Sequence, residues 1–442
     1  MKTLLKLIFL GIVIAVTWQY LENNNINIKE KLADSADWLK LQLKEIESST
    51  SKETADPAES ERPDKTMREQ VTASVSEDNH NNQISNSIVT GSSTDVPEVS
   101  AEKNDTQKIE PELKLGSSDE ELEWIKTATK KYSPDSWYLL MQYDQLPENA
   151  EALLTDGQKT ISNKPADTFH YLEGSTLTRM ITSMATNVHE ISHGYYHQNT
   201  FRYASENNLR LTWDNAEGFI YISPEKSFFI SFPKKYLFPS SELKQVIPQS
   251  LITFRFDTYI NGNTSTQQDG VFGLLNEMNA YYLGSRLNYD MLDAYKTAQG
   301  SDTKGLIEWI KNSQSEMTAY YEFNFFIREY LLYMKQNHNE SYSEMKTCKN
   351  FTEAYKEVEL SYSELIDKYQ KRVDSEMKNL NTSGKAKAWM DAGELWVQDS
   401  GSNSSYGTLV FNPDREKLLP VLAGDRYREI LIDFRYGYPT QF

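Results

Sequence analysis

The sequence predicts a helix-rich α+β fold that occupies the C-terminal three-quarters of the chain, behind a signal anchor and a disordered acidic linker. Three observations predict it. Residues 39–123 contain no Phe, Tyr or Trp, whereas aromatics are dense from Trp124 onward; only the latter region can bury enough apolar area to offset the entropy of ordering. Apolar residues at three- and four-residue steps recur through most of that region, the period of amphipathic helices. β-type runs are few and short, one pair of them arranged as a hairpin.

The elements follow in order. Lys2 and Lys6 precede an apolar run from Leu7 to Val16, with Trp18 and Tyr20 behind it. This is a positive segment followed by a hydrophobic one, and no small-x-small cleavage site follows. Residues 1–21 are therefore expected to be an uncleaved signal anchor, with a cleaved signal peptide as the alternative. Either places the bulk of the chain outside the cytoplasm: single-pass in the cell membrane, or secreted. Leu32, Ala36, Leu39, Leu43 and Ile46 step by four and three, which predicts a juxtamembrane amphipathic helix within 22–47. Residues 48–118 are expected to be a disordered acidic linker. The net charge is −18, and residues 39–123, with nine basic and twenty acidic residues, supply −11 of it. The acidity thus belongs mainly to a solvated tether, and no basic block argues for a nucleic-acid partner.

Residues 119–442 are the expected folded domain. Helices are predicted at 120–131, 175–194, 271–286, 290–298, 303–313, 315–336 and 351–380. A strand is predicted at Trp137–Met141, a hairpin from Phe219–Ile222 and Phe228–Phe232 around Ser223-Pro224-Glu225-Lys226-Ser227, and tail strands near 395–397, 408–411 and 429–433. The single cysteine, Cys348, excludes an intramolecular disulfide and is expected in a polar helical stretch.

The helix at 175–194 carries the chemistry. Leu177, Ile181, Met184, Val188 and Ile191 make its buried stripe, while Thr182, Thr186, His189 and His193 recur on another face. Gly194 suits a helix terminus. The run His189-Glu190-Ile191-Ser192-His193 places two imidazoles one turn apart on one face, where both can bind one Zn²⁺ while Glu190 reaches a water. A catalytic zinc ordinarily takes a third protein ligand. A histidine six residues after His193 is absent, since that position is Asn199. A glutamate on a second helix is the other solution. Glu277 in Asn276-Glu277-Met278-Asn279-Ala280-Tyr281-Tyr282-Leu283-Gly284 shares a face with Ala280, Tyr281 and Gly284; the small residues allow a close approach to the first helix. Asp214 and Glu217 are nearer in sequence and read as turn residues.

His189-Glu190-x-x-His193 together with Glu277-x-x-Ala280 resembles the gluzincin branch of the zincin metallopeptidases. That resemblance implies a zincin-like domain, peptide-bond hydrolysis at Zn²⁺, His189, His193 and Glu277 as metal ligands, Glu190 as general base and a polypeptide substrate. The chain departs from the pattern of some gluzincins by the 84 residues between His193 and Glu277 and by Tyr281, where some families carry an aspartate. Donors to the transition state, or groups that steady a ligand histidine, are sought among Tyr259, Arg255, Tyr281, His197 and Tyr196, with a surface position as the alternative for Arg255 and Tyr259 and a rim position for His197. The alternative reading of the whole chain is a non-catalytic surface protein that binds a partner through the helices at 315–336 and 351–380.

Overall fold

The chain begins its described course with two helices, α1 (Ser118–Tyr132) and α2 (Pro134–Asp144). The computed structural model describes residues 118–436 other than 175 and 263, and the expected anchor, juxtamembrane helix and linker through residue 117 lie outside them. Among the described residues no helix is long and apolar enough to cross a membrane. The architecture is α+β with helices dominant.

The α2 segment was expected as a strand at Trp137–Met141, and it is a helix. Pro134 stands at its first turn, where a missing N–H costs nothing, and Asp135 follows near the positive end of the helix dipole. Leu139, Leu140 and Tyr143 then share a buried face. A five-residue apolar run is compatible with either period, and the terminus chemistry decides it.

Strands β1 (Asn149–Leu154), β2 (Lys159–Asn163) and β3 (Arg210–Leu211) form a small sheet in the order β2-β1-β3, antiparallel across β1–β2 and parallel across β1–β3. Between β2 and β3 runs α3 (Leu177–Glu206), capped by Thr176, whose hydroxyl accepts from the Arg179 N–H at 3.4 Å. This helix continues twelve residues past Gly194. That glycine is not a terminus: a Cβ there would lie 2.9 Å from the Tyr143 ring and 3.2 Å from Pro165, so its lack of a side chain lets α2 and the 165 loop lie against α3.

The expected hairpin is present as β4 (Asn215–Ser223) and β5 (Lys226–Pro233), closed by Pro224-Glu225. After it come short 3₁₀ turns, a π-helical turn at Asp257–Asn261, a single turn α4 (Ser265–Gln268) and then α5 (Val271–Asp290) and α6 (Leu292–Gln299). The two helices expected at 303–313 and 315–336 are one, α7 (Asp302–Asn337), started by Ser301, whose hydroxyl accepts from the Lys304 N–H at 3.3 Å. The polar run Lys311-Asn312-Ser313-Gln314 carries no helix breaker. Ser313 is buried inside α7, donating to the Trp309 carbonyl and accepting from Asn288. α8 (Asn339–Thr347) and α9 (Lys349–Ser383) follow, with Cys348 at their junction, not within a helix.

A second antiparallel sheet, β6 (Ala386–Asp391), β7 (Glu394–Asp399) and β8 (Ser405–Leu409), packs by β6 against α9 and by β8 against α7. The strand expected at 429–433 is instead helical, as α11 (Arg428–Leu431) and a π-helical turn at Ile432–Tyr436, after α10 (Asp414–Ala423). Ile430 and Phe434, four apart, are both buried there. This is helical spacing, and it overrides the β-branched composition. One continuous core runs through α3, α5, α7 and α9, with α5 at its centre; every α5 residue from Val271 to Asn288 is buried except Tyr281 and Arg286.

Candidate metal centre

Helix α5 is positioned against α3 by its small residues. A Cβ on Gly284 would stand 2.8 Å from the Ala185 carbonyl oxygen and 3.8 Å from the His189 Cβ. Ala280 is fully buried one turn earlier. The two backbones therefore approach closely, and Glu277, one turn before Ala280, is carried to the histidine face of α3.

The result is a convergence of three ligand atoms. His189 Nε2 and His193 Nε2 are 3.1 Å apart, and Glu277 Oε2 lies 3.5 Å from the first and 3.4 Å from the second. The side chains retain 12%, 19% and 7% of their exposure, respectively. Among the described residues this is the one group of three or more His, Cys, Asp or Glu side chains placed to hold a metal ion. Glu277 Oε2 is buried without a hydrogen-bond partner, a costly state for a carboxylate oxygen. Three lone-pair-bearing atoms aimed at a common point, one of them otherwise unsatisfied, fit a cation. Burial alone would push the Glu277 carboxyl up, but the His189 and His193 imidazoles beside it outweigh burial and hold the carboxyl well below the usual carboxylate range. Burial lowers His189. In His193 the same desolvation is outweighed by Glu277, and its pKa rises.

Glu190 sits on the neighbouring face, half-buried, and its carboxylate makes no hydrogen bond or salt bridge among the described residues. The loop before α3 is tied down beside it. Asn187 donates to the Thr168 carbonyl at 3.0 Å and accepts from the Tyr171 N–H at 3.1 Å, and Ser183 accepts from the Glu173 N–H at 2.9 Å. Tyr171 is thereby held close enough for the Glu190 charge to raise its hydroxyl pKa, behind the larger effect of burial. Tyr171 was not singled out from the sequence; only its place in an aromatic cluster, Phe169-His170-Tyr171, could have drawn attention to it.

The remaining candidates separate. Tyr259 and Arg255 are both buried, at 8% and 4% exposure, not on the surface. The Tyr259 hydroxyl is 3.3 Å from that of Tyr281, and it is raised far above the ordinary tyrosine range by burial and by the Glu277 charge beside it. The Tyr281 ring meets His189 edge-on with centroids 4.5 Å apart, so it holds the imidazole by packing. Arg255 faces away from the ligands. Its Nη1 donates to Glu322 Oε2 at 2.6 Å and its backbone N–H to Glu322 Oε1 at 2.9 Å, while its guanidinium lies 4.4 Å over the Tyr281 ring. It backs Tyr281 and contributes no donor to the ligand cluster. His197 is exposed one turn beyond His193 and belongs to the rim. Tyr196 is buried, its ring filling the space that a Cβ on Gly218 would need. Glu217 is a strand residue, not a turn residue, committed to the Thr212 N–H at 3.2 Å and the Ser231 hydroxyl at 3.0 Å, and is no part of the ligand cluster. Asp214 is exposed in the turn before β4.

No protein family, curated protein or solved structure matches the chain. The functional reading therefore rests on the side chains themselves.

Proposed function

We propose that this protein is a zinc-dependent metallopeptidase of gluzincin type, with His189, His193 and Glu277 as ligands and Glu190 as general base. The observation that carries the reading is the shape of the ligand triangle. Ligands at 2.0–2.1 Å from a tetrahedral zinc are about 3.3–3.4 Å from one another, and the three edges here are 3.1, 3.4 and 3.5 Å. Histidine with carboxylate is a donor set that zinc accepts, and three protein ligands leave the fourth position for water or substrate, as catalytic rather than structural sites do. With Cys348 as the single cysteine, a closed thiolate site cannot be built.

When bound, zinc supplies Lewis-acid chemistry to a water and a scissile carbonyl. The chain's own groups do the rest. Glu190, with no competing partner, accepts the proton of the attacking water and passes it to the leaving amine nitrogen. Tyr259, kept protonated by its surroundings, is the hydroxyl placed to donate to the developing oxyanion. Tyr281 and Arg255 fix the His189 ring in place, a role that ordinarily tunes metal sites strongly. The polypeptide as substrate, the membrane tether through residues 1–21 and export from the cytoplasm are parts of the same proposal.

The test is hydrolysis of a mixed peptide library by the full chain. Wild-type protein with zinc is expected to cleave and Glu190→Ala to bind the same amount of zinc without cleaving. Equal cleavage by the two would overturn the general-base assignment.

A further inference from the structure

The face of α3 that carries Glu190 continues past the metal ligands. Residues 190, 197 and 201 share one line along the helix, and beyond His197 the line opens into a cleft of about 410 Å³ between α3, the β2 edge and the start of β4. His197 stands one turn beyond His193, about 6 Å along the axis. His197, which lines the cleft, thus sets it about one turn of α3 from the proposed active site, and an inference drawn from it rests on that reading and deepens it.

Its lining is of two kinds. Ile161 and Trp213 are 56% and 65% exposed, among the most exposed large apolar residues described, and both face this cleft, with Phe201 beside them. Glu217 and Asp269 bring two carboxylates to the same cavity, both pushed up from the ordinary range by burial, which is offset in part by the Thr212 N–H, the Ser231 hydroxyl and Lys234 at Glu217 and by Lys234 at Asp269. The Asp269 side chain has no hydrogen bond or salt bridge among the described residues. Lys234 is exposed at the rim, where water screens its ammonium, while the carboxylates lie deeper. An aliphatic stem with a cationic head matches this arrangement: the stem against Ile161 and Phe201, the head near Trp213 and the two carboxylates.

We propose that this cleft is a specificity pocket for a basic side chain, lysine or arginine, of the peptide substrate. An extended peptide advances about 3.3–3.6 Å per residue, so the basic residue falls about two positions from the bond that is cut.

The test is calorimetric titration of the zinc-loaded full chain carrying Glu190→Ala, which prevents turnover. The probes are acetylated alanine-based hexapeptide amides that hold one lysine, one norleucine or one glutamate at each position in turn. At one position the lysine peptide is expected to bind at least tenfold tighter than its norleucine twin. Asp269→Asn, which removes no hydrogen bond, is expected to reduce that ratio below threefold, and Glu217→Gln to reduce it in the same direction. Lysine no tighter than norleucine at every position, a preference for glutamate, or an undiminished ratio in Asp269→Asn would overturn the proposal. Failure of the peptidase reading would look different: wild-type protein would bind no zinc or cut none of the peptides, whatever their relative affinities.

Discussion

Gly284→Ala tests the helix contact that builds the metal centre without touching a ligand. The added Cβ would stand 2.8 Å from the Ala185 carbonyl oxygen, against an ordinary separation of about 3.5 Å. The obstacle is backbone, and that carbonyl is the acceptor for the His189 N–H four residues on. Relief requires α5 and α3 to separate by roughly 0.5 Å or more. Metal sites tolerate errors of about 0.2 Å in ligand distance, and Glu277 is two turns from the obstruction on the same rigid helix. Zinc affinity is expected to fall on the order of 10–100-fold, as when groups that orient ligands are disturbed. Stability changes less. Alanine gains up to about 1 kcal/mol of helix propensity over glycine, and overpacking costs about 1–3 kcal/mol, so the net loss is about 0–2 kcal/mol. Competition for zinc against a chromophoric chelator measures the first quantity and urea unfolding of the metal-free chain the second. Unchanged zinc affinity together with raised stability would refute the close contact between these helices.

Three further outcomes are expected. Glu190→Ala should lower kcat by about 10²–10⁴-fold at unchanged zinc content, read by peptide hydrolysis beside metal analysis. Tyr259→Phe should lower kcat by on the order of 10²–10³-fold with little change in KM; an unaltered kcat would remove Tyr259 from the reaction. The Glu316 carboxyl is pushed up to about 8 by burial, against the lowering effect of Arg255, and its Oε2 has no hydrogen-bond partner. Raised above its unfolded value, this acid favours the folded state at low pH and loses that contribution as pH climbs from about 4.5 to 8, by at most about 5 kcal/mol. Glu316→Gln should flatten the fall in stability over that window in urea unfolding at a series of pH values; an identical pH profile in the variant would contradict the assignment.

The histidine pair was legible because two residues four apart on one helix need nothing but helical geometry to meet. Glu277 was legible for a weaker reason. Its neighbours Ala280 and Gly284 marked a face suited to close packing, but which helix would fill that face is settled by the tertiary fold. Gly194 misled because glycine serves both as a helix terminus and as a gap for a neighbouring ring, and the neighbour, Tyr143, lies about fifty residues away in sequence. Trp137–Met141 and 429–433 were read as strands from short apolar runs, where period is ambiguous and packing decides. The join of 303–313 to 315–336 was hidden by the polar run Lys311–Gln314, of which Ser313 is buried, donating to the Trp309 carbonyl and accepting from Asn288 of α5, a partner the sequence does not reveal. Arg255 could not be placed at all without Glu322, its partner on α7.

The most direct measurement is the zinc content of the purified full chain, wild type beside Glu277→Ala and Glu217→Ala. One zinc per wild-type chain, retained in Glu217→Ala and largely lost in Glu277→Ala, is the predicted result. A wild-type chain that takes up no zinc, or a Glu277→Ala chain that holds it as tightly as wild type, would contradict the assignment of the metal centre.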